Sequence, residues 1–437
     1  MGEGIMAGAW KTNITAPVGT SMAADFQGTP SQGIAGELYA HALVIDDGKT
    51  EAVLISADVC FIPDHIIKDI QAKIQELCGI PADNILIAAT HTHNGPMLEE
   101  EMPGNGVLPV HYIENFKNLA TSAAVMAQKN KQPVRIRAGR GSNDRHVFNR
   151  RMKKPDGSIV MNWVDPGFLK DCVPSGPADP EILVAGIYKY DGSPLAFIVN
   201  YAVHNNAGCG PGMIGPDFSG YMAGELSKIF GRDVVTLFLA GACGNTNWID
   251  CRDEDWTKRQ KLWEKIGTAL TGSVLEILAD MEELEVCDIG VLHRSFTGME
   301  RPFCDYDTKN DITFGPLEES GDNDFLRLYA EYRMKYEDRP LSSQQVDVSV
   351  LRLGRDLGIA ANPAELFTEF GLRMKAESPF KYSMVSELTN GYIGYIPTIE
   401  AFTEGGYEVK KIHKNSFMEK NTGDRLTEIT VNMLKAL

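Results

Sequence analysis

Two histidines one residue apart, His91 and His93, stand in the run Thr90-His91-Thr92-His93-Asn94-Gly95-Pro96, directly after the apolar stretch Ile85-Leu86-Ile87-Ala88-Ala89. Side chains alternate along a strand, so an H-x-H pair continuing that stretch puts both imidazoles on one face. Neutral imidazole is the commonest zinc ligand, and a strand end followed by Asn-Gly-Pro opens on a cleft. His204 ends a second apolar run, Tyr201-Ala202-Val203-His204. Glu365, in Asn362-Pro363-Ala364-Glu365-Leu366, falls where a strand gives way to a helix, and a carboxylate there gains from the helix N-terminus. Such residues together could do the chemistry of a metal hydrolase. Taken singly, the pair also reads as solvated loop histidines, His204 as a capped strand end, and Glu365 as a first-turn glutamate.

The elements that must position them follow from periodicity. Residues 52–58 (AVLISAD) read as a strand, 64–78 as a helix, and 84–90 (NILIAAT) as a second strand, a βαβ rhythm. Within the helix Ile66, Ile67, Ile70, Ile74 and Leu77 share one face, Pro63 stands at the entry and Gly79 at the exit. A helix is expected over 110–129, a strand over 133–139, and a hairpin-like pair about Asp191-Gly192-Ser193 whose second arm delivers His204. Helices are expected near 218–230 and 256–280, with a buried strand over 234–242 running into a glycine-rich loop. The polar stretch 300–322 reads as a long surface loop or lid, or as a plain linker. A helix near 323–337, strands near 345–352 and 357–361, and helices near 364–377 and 423–436 complete the pattern. The fold class expected is α/β, mixed β-sheets flanked by helices, with residues 1–437 forming one domain.

Composition bounds the partners. The 437 residues include 59 acidic against 42 basic side chains, a formal net charge of −17. That balance repels nucleic-acid phosphates and anionic headgroups, so a small-molecule substrate is expected, with no nucleic acid and no stable membrane insertion. The eight cysteines are scattered without a C-x-x-C pair, which argues against a zinc ribbon or redox motif. The N-terminal residues lack a basic then apolar leader pattern, so a cytoplasmic location is expected, or a secreted or periplasmic one if a leader has been removed. Oligomeric state is left open.

The order and surroundings of these residues resemble the catalytic N-terminal domain of the neutral, non-lysosomal ceramidases over most of the chain. The resemblance is carried by Ala89 to Pro96, Asn149-Arg150, Ala202-Val203-His204, Gly244-Asn245-Thr246-Asn247, Pro363-Ala364-Glu365 and the segment from Tyr392 to Glu400. It implies zinc held by His91, His204, Glu365 and Tyr395, with His93 and Arg150 beside the metal facing the substrate. Nothing local separates Tyr395 from Tyr392, and either also reads as core packing. Two departures bear on chemistry. Asn247 stands at the position of the family's serine and Asn245 at that of its aspartate, and an amide forms no acyl-enzyme. The immunoglobulin-like domain that follows in the family is not expected after Tyr395.

The expectation is therefore a zinc-dependent hydrolase cleaving an amide (N-acyl) bond, with water activated on the metal and a substrate more soluble than membrane ceramide. Zinc with an open position lowers the pKa of its water to about 7. His93 would carry the proton, Arg150 would hold an oxyanion or a substrate carboxylate, and Asn247 would donate a hydrogen bond. Asp217 reads as a helix cap or as an orienting residue for a ligand. An esterase, lactonase or carbohydrate-active enzyme on the same scaffold is the alternative, and a non-catalytic zinc-binding protein a further one.

Overall fold

The computed structural model describes residues 4–23, 29–99, 110–164, 166–253, 255, 261–304, 307, 323–412 and 415–437, with the backbone alone for 323–329. Its largest sheet is mixed and nine-stranded among the described residues. The strands run in the order Val235–Ala240, Pro194–Tyr201, Glu181–Lys189, Gln132–Ser142, Met6–Asn13, Tyr39–Asp46, Glu51–Ala57 and Ile85–Ala89, with Glu282–Glu283 paired to Gln132–Ser142. A second sheet of four strands is ordered Ile289–Met299, Ser343–Leu353, Leu357–Ala361 and Tyr382–Ser386.

Alternation along single strands shows how these pieces stack. In Glu51–Ala57, Val53, Ile55 and Ala57 join a core with Ile66, Ile70 and Ile74 of the helix Asp64–Cys78 and Phe116 and Ala120 of the helix Val110–Lys129. The intervening Ala52 and Leu54 face the other way, into a core shared with Leu351, Leu353, Leu357, Ile359 and Met384 of the second sheet. That sheet's opposite face, through Val346, Val348, Val350 and Ala360, meets Phe370 and Met374 of the helix Thr368–Glu377 and Leu426, Val431 and Leu434 of the helix Thr422–Ala436. The helices Asp217–Phe230 and Leu262–Ala279 cover the other end of the large sheet beside Phe197, Val199 and Phe238. The result is four layers, helices, sheet, sheet, helices. Strands buried on both faces read as continuous apolar runs, which is why Val53 to Ala57, Ile85 to Ala89 and Val235 to Ala240 were legible as strands.

Most expected elements are present, with four differences. The helix expected from 364 begins at Thr368, because Glu365–Leu366 forms a short strand paired in parallel with Tyr395–Ile396. Glu365 is thus fixed by a strand pairing and not by a first helical turn. The strand before the histidine pair ends at Ala89. His91 adopts φ 64°, so the pair converges through a left-handed turn and not through strand alternation. Of the stretch 300–322, Glu300 bridges to Met418 and Arg301 is buried against Asp307, so its start is anchored, while 305–306 and 308–322 lie outside the described residues. The strands Met6–Asn13 and Tyr39–Asp46 went unread in the sequence, since Met6 to Asn13 lacks a clean alternation.

Three parallel pairings, Glu51–Ala57 with Ile85–Ala89, Pro194–Tyr201 with Val235–Ala240, and Leu357–Ala361 with Tyr382–Ser386, set the stage for the site. In sheets with parallel pairs, functional loops collect at the carboxyl ends of the strands. His91, His204, Cys243, Glu365 and Glu387 all lie just beyond such ends. Among the described residues, no helix is long and apolar enough to cross a membrane.

Candidate metal centre

His91 and His204 are held by the same device. Nδ1 of His91 donates to the carbonyl of Cys60 at 2.8 Å, and Nδ1 of His204 to the carbonyl of Cys243 at 2.9 Å. With Nδ1 carrying the proton, the Nε2 atoms present lone pairs, and these face each other at 3.0 Å. Oε2 of Glu365 completes the triangle, 3.3 Å from His91 Nε2 and 3.4 Å from His204 Nε2, and has no further hydrogen-bond partner among the described residues. All three side chains are buried, at 2%, 0% and 3% exposure. Two lone pairs and a carboxylate oxygen in such proximity repel one another unless positive charge sits between them.

The protonation equilibria point the same way. Burial pushes His204 down to about 4, aided by the Arg150 guanidinium, so it stays a neutral imidazole. Burial works against the Glu365 carboxylate, yet His91 and His204 hold its carboxyl well below the usual range. His91 moves upward overall, since the Cys60 thiol and Glu365 outweigh its burial. The cluster thus calls for a cation at its centre, either a proton on His91 or a metal ion. Two imidazoles and a carboxylate are a donor set that suits zinc.

The other expected residues have partners of their own. His93 Nε2 lies 3.4 Å from His91 Nε2, and burial with the two neighbouring histidines holds it below its ordinary pKa. Its ring lies near Cys60 and His91 as well, a second grouping of possible donors. That grouping is the weaker one, because Nδ1 of His91 is already committed to the Cys60 carbonyl. Arg150 donates through Nε to Glu408 Oε1 at 2.7 Å and through Nη2 to the Gly244 carbonyl at 2.8 Å, leaving Nη1 3.3 Å from His204 Nε2. Tyr395 is the strand partner of Glu365, and its ring stacks on His204 at 6.5 Å and faces the Arg150 guanidinium at 5.3 Å. Asn247 is engaged through its own side chain. Its amide pairs reciprocally with that of Asn162, at 2.8 Å in both directions, and its oxygen accepts from Ile249 N, so it ties two loops together. Asn245 caps the helix Thr368–Glu377, accepting from Thr368 N and donating to Glu369. Asp217 accepts from Phe218 N at its own helix start and from Gly208 N in the loop after His204, both at 2.7 Å.

Several contributors went unread in the sequence. The Tyr392 hydroxyl donates to Glu365 Oε1 at 2.8 Å while its ring stacks on Phe61. Glu408 is fully buried and takes both Arg150 and Arg151. Trp163 and Tyr407 lie 5.5 and 5.8 Å from the Arg150 guanidinium. Glu408 and Trp163 sit in turn segments with no periodicity to read, and Tyr392 lacked any local signal beyond its neighbour Tyr395. Gly244 is required by close approach, since a Cβ there would collide with the backbone of Glu365.

No family model matches the chain. In sequence it is similar to neutral ceramidase A of Dictyostelium discoideum, 27% identical over 167 residues that make up 37% of this chain and 22% of that relative. Neutral ceramidase B of the same organism is 26% identical over 167 residues, again 37% and 22% of the two chains. The matched stretch therefore spans under a quarter of the relatives' length. Among solved structures, a ceramidase complexed with C2 superposes with a TM-score of 0.73 at 18% identity, covering 99% of this chain and 75% of that one. The neutral ceramidase of Pseudomonas aeruginosa gives a TM-score of 0.69 at 19% identity, covering 99% and 74%. The chain thus shares the mixed α/β fold of these ceramidase structures along nearly its whole length, and sequence similarity with the neutral ceramidases over part of it.

Proposed function

We propose that this protein is a zinc-dependent hydrolase that cleaves an amide (N-acyl) bond in a substrate more soluble than membrane ceramide. The observation that carries the reading is the buried triangle of His91 Nε2, His204 Nε2 and Glu365 Oε2, which converge to 3.0, 3.3 and 3.4 Å and call for a cation at their centre. The likeness to ceramidases, which by name act on an amide, supports the bond type. His91, His204 and Glu365 would hold the ion, with Tyr395 beside them as the fourth candidate. Zinc, when bound, supplies a Lewis acid and an activated water.

The chain's own residues supply the rest. His93 is a neutral imidazole poised beside the ligands, so its Nε2 can take a proton from the attacking water and return it to the leaving nitrogen as the C–N bond breaks. Arg150 acts on charge. Its Nε and Nη2 are engaged by Glu408 and Gly244, and Nη1 faces His204 Nε2 at 3.3 Å, so Nη1 is the donor that would turn to an oxyanion once that lone pair is taken by a metal, whereas a forked grip on a substrate carboxylate would need a second free edge. Burial alone would push Arg150 down, but Tyr395 and Glu408 hold it firmly protonated. The Asn247 amide is engaged with Asn162, so any bond it gives the substrate is additional to that pairing.

The test combines metal analysis with a substrate panel. Purified protein should carry zinc near one equivalent per chain, Glu365→Gln should lose metal and turnover together, and chromogenic N-acyl amides should be cleaved in preference to esters and glycosides. Full metal occupancy and full activity in Glu365→Gln would remove Glu365 from the site, and turnover confined to esters would overturn the bond assignment.

A further inference from the structure

The turn after the strand Tyr382–Ser386 touches the segments that bear His91 and Glu365 and the segment that carries Cys243, whose carbonyl holds His204. Glu387 N donates to Ala240 O at 3.0 Å, Leu388 N to Ala364 O at 3.2 Å, and Ala89 N to Leu388 O at 3.1 Å. Those backbone bonds alone would make a structural clamp. The Glu387 side chain goes further. It is fully buried, and its Oε2 accepts from two amides on different segments, Cys243 N and Leu366 N, each at 3.0 Å. Its Oε1 accepts from the Cys243 thiol at 2.9 Å.

Each of those amides is one step from a ligand. The carbonyl of Cys243 is the acceptor that orients His204 through Nδ1, and Leu366 directly follows Glu365. A single oxygen shared by both amides fixes their separation, and through them the 3.4 Å approach of His204 Nε2 to Glu365 Oε2. Burying a carboxyl group is costly unless its oxygens are satisfied, and here every acceptance falls on the scaffold of the metal centre. Outer partners of this kind set ligand orientation and tune metal affinity.

We propose that Glu387 is a positioning residue for the metal centre, one side chain that sets the spacing between His204 and Glu365. The inference rests on the zinc reading above. It assigns Glu387 no contact with substrate or with the reacting atoms.

The experiment is a zinc titration of the full chain against a competing chelator, together with the unfolding midpoint of the zinc-free protein. Glu387→Ala should lower zinc affinity by about 10- to 100-fold, the range for outer-shell partners. Glu387→Asp, which pulls the carboxyl back by one methylene so that it cannot reach both amides, should lower it in the same direction and serves if the alanine variant does not fold. Glu387→Gln keeps an oxygen in the place of Oε2 and should restore affinity close to wild type. Zinc affinity equal to wild type in the alanine and aspartate variants, with a lowered zinc-free midpoint, would show a purely structural clamp and overturn the assignment while leaving the metal centre standing. A wild-type chain that takes up no zinc overturns the zinc reading and this inference together.

Discussion

Replacing Tyr392 with phenylalanine removes one oxygen atom and tests whether the metal centre is tuned from outside. The lost hydroxyl donates to Glu365 Oε1 at 2.8 Å with both groups buried. Burial, and then the adjacent Glu365, hold that hydroxyl well above the usual tyrosine pKa, so it remains a donor across the working pH range. The ring's stacking on Phe61, 4.1 Å between centroids at 17°, survives the substitution, so no cavity opens. A hydrogen bond to a charged group contributes about 1.5–3 kcal/mol, and about 1.4 kcal/mol is one decade of affinity. Zinc affinity should therefore fall by about 10- to 100-fold. Competition with a chromogenic chelator reads that change, and turnover should recover in excess zinc because no group facing the substrate has been removed. Wild-type zinc affinity in the Tyr392→Phe protein would refute the claim that this bond tunes Glu365.

Other expected outcomes follow from the same geometry. Arg150→Gln should lose about 100-fold or more in kcat through the missing oxyanion donor, and should lower stability in urea by about 3 kcal/mol because Glu408 keeps a single cationic partner. Asp58 is pushed up to about 7, first by burial, so its folded pKa exceeds its unfolded one and the native state binds the extra proton. Its contribution to stability is then favourable below about pH 4 and is lost as pH rises through 7, a change on the order of 4 kcal/mol. Urea midpoints of the zinc-free protein at pH 5 and pH 8 should accordingly differ less in Asp58→Asn than in wild type. Asn247→Ser should cost about 1–3 kcal/mol by breaking the Asn162 amide pair. Mass spectrometry under turnover should detect no acyl adduct on the new hydroxyl, and a stable adduct would reinstate a covalent route.

How much of this was legible in the sequence depended on distance along the chain. Apolar runs ending in His91 and His204 announced themselves, because strands buried on both faces leave uninterrupted hydrophobic stretches and the polar residue at their end stands out. Glu365 was legible as a residue but not as a structure. Its place is set by a parallel pairing with Tyr395 thirty positions later, a register that no local window contains. The same holds for the Cys60 and Cys243 carbonyls, since any residue can supply a backbone acceptor and no side-chain pattern marks it. Asn247 shows a different limit. Position in a family motif suggests a substrate contact but says nothing of Asn162, the partner that the fold gives its amide. Glu408 and Glu387, both wholly buried, lie in segments that read as ordinary turn and strand end.

The left-handed backbone at His91 carries a lesson for anyone who would transplant this centre. A non-glycine residue at φ 64° sits in a sparsely populated region and costs about 1–3 kcal/mol unless its surroundings impose it. Here the imposition comes from His91 N bonded to Val59 O and from the ring anchored on Cys60 O. An H-x-H pair grafted onto a straight strand of another scaffold would keep the two side chains parallel and several ångströms apart, and would not bring Nε2 of one to 3.4 Å from Nε2 of the other. A designer copying the centre must therefore carry over the loop around Val59 and Cys60 along with the two histidines.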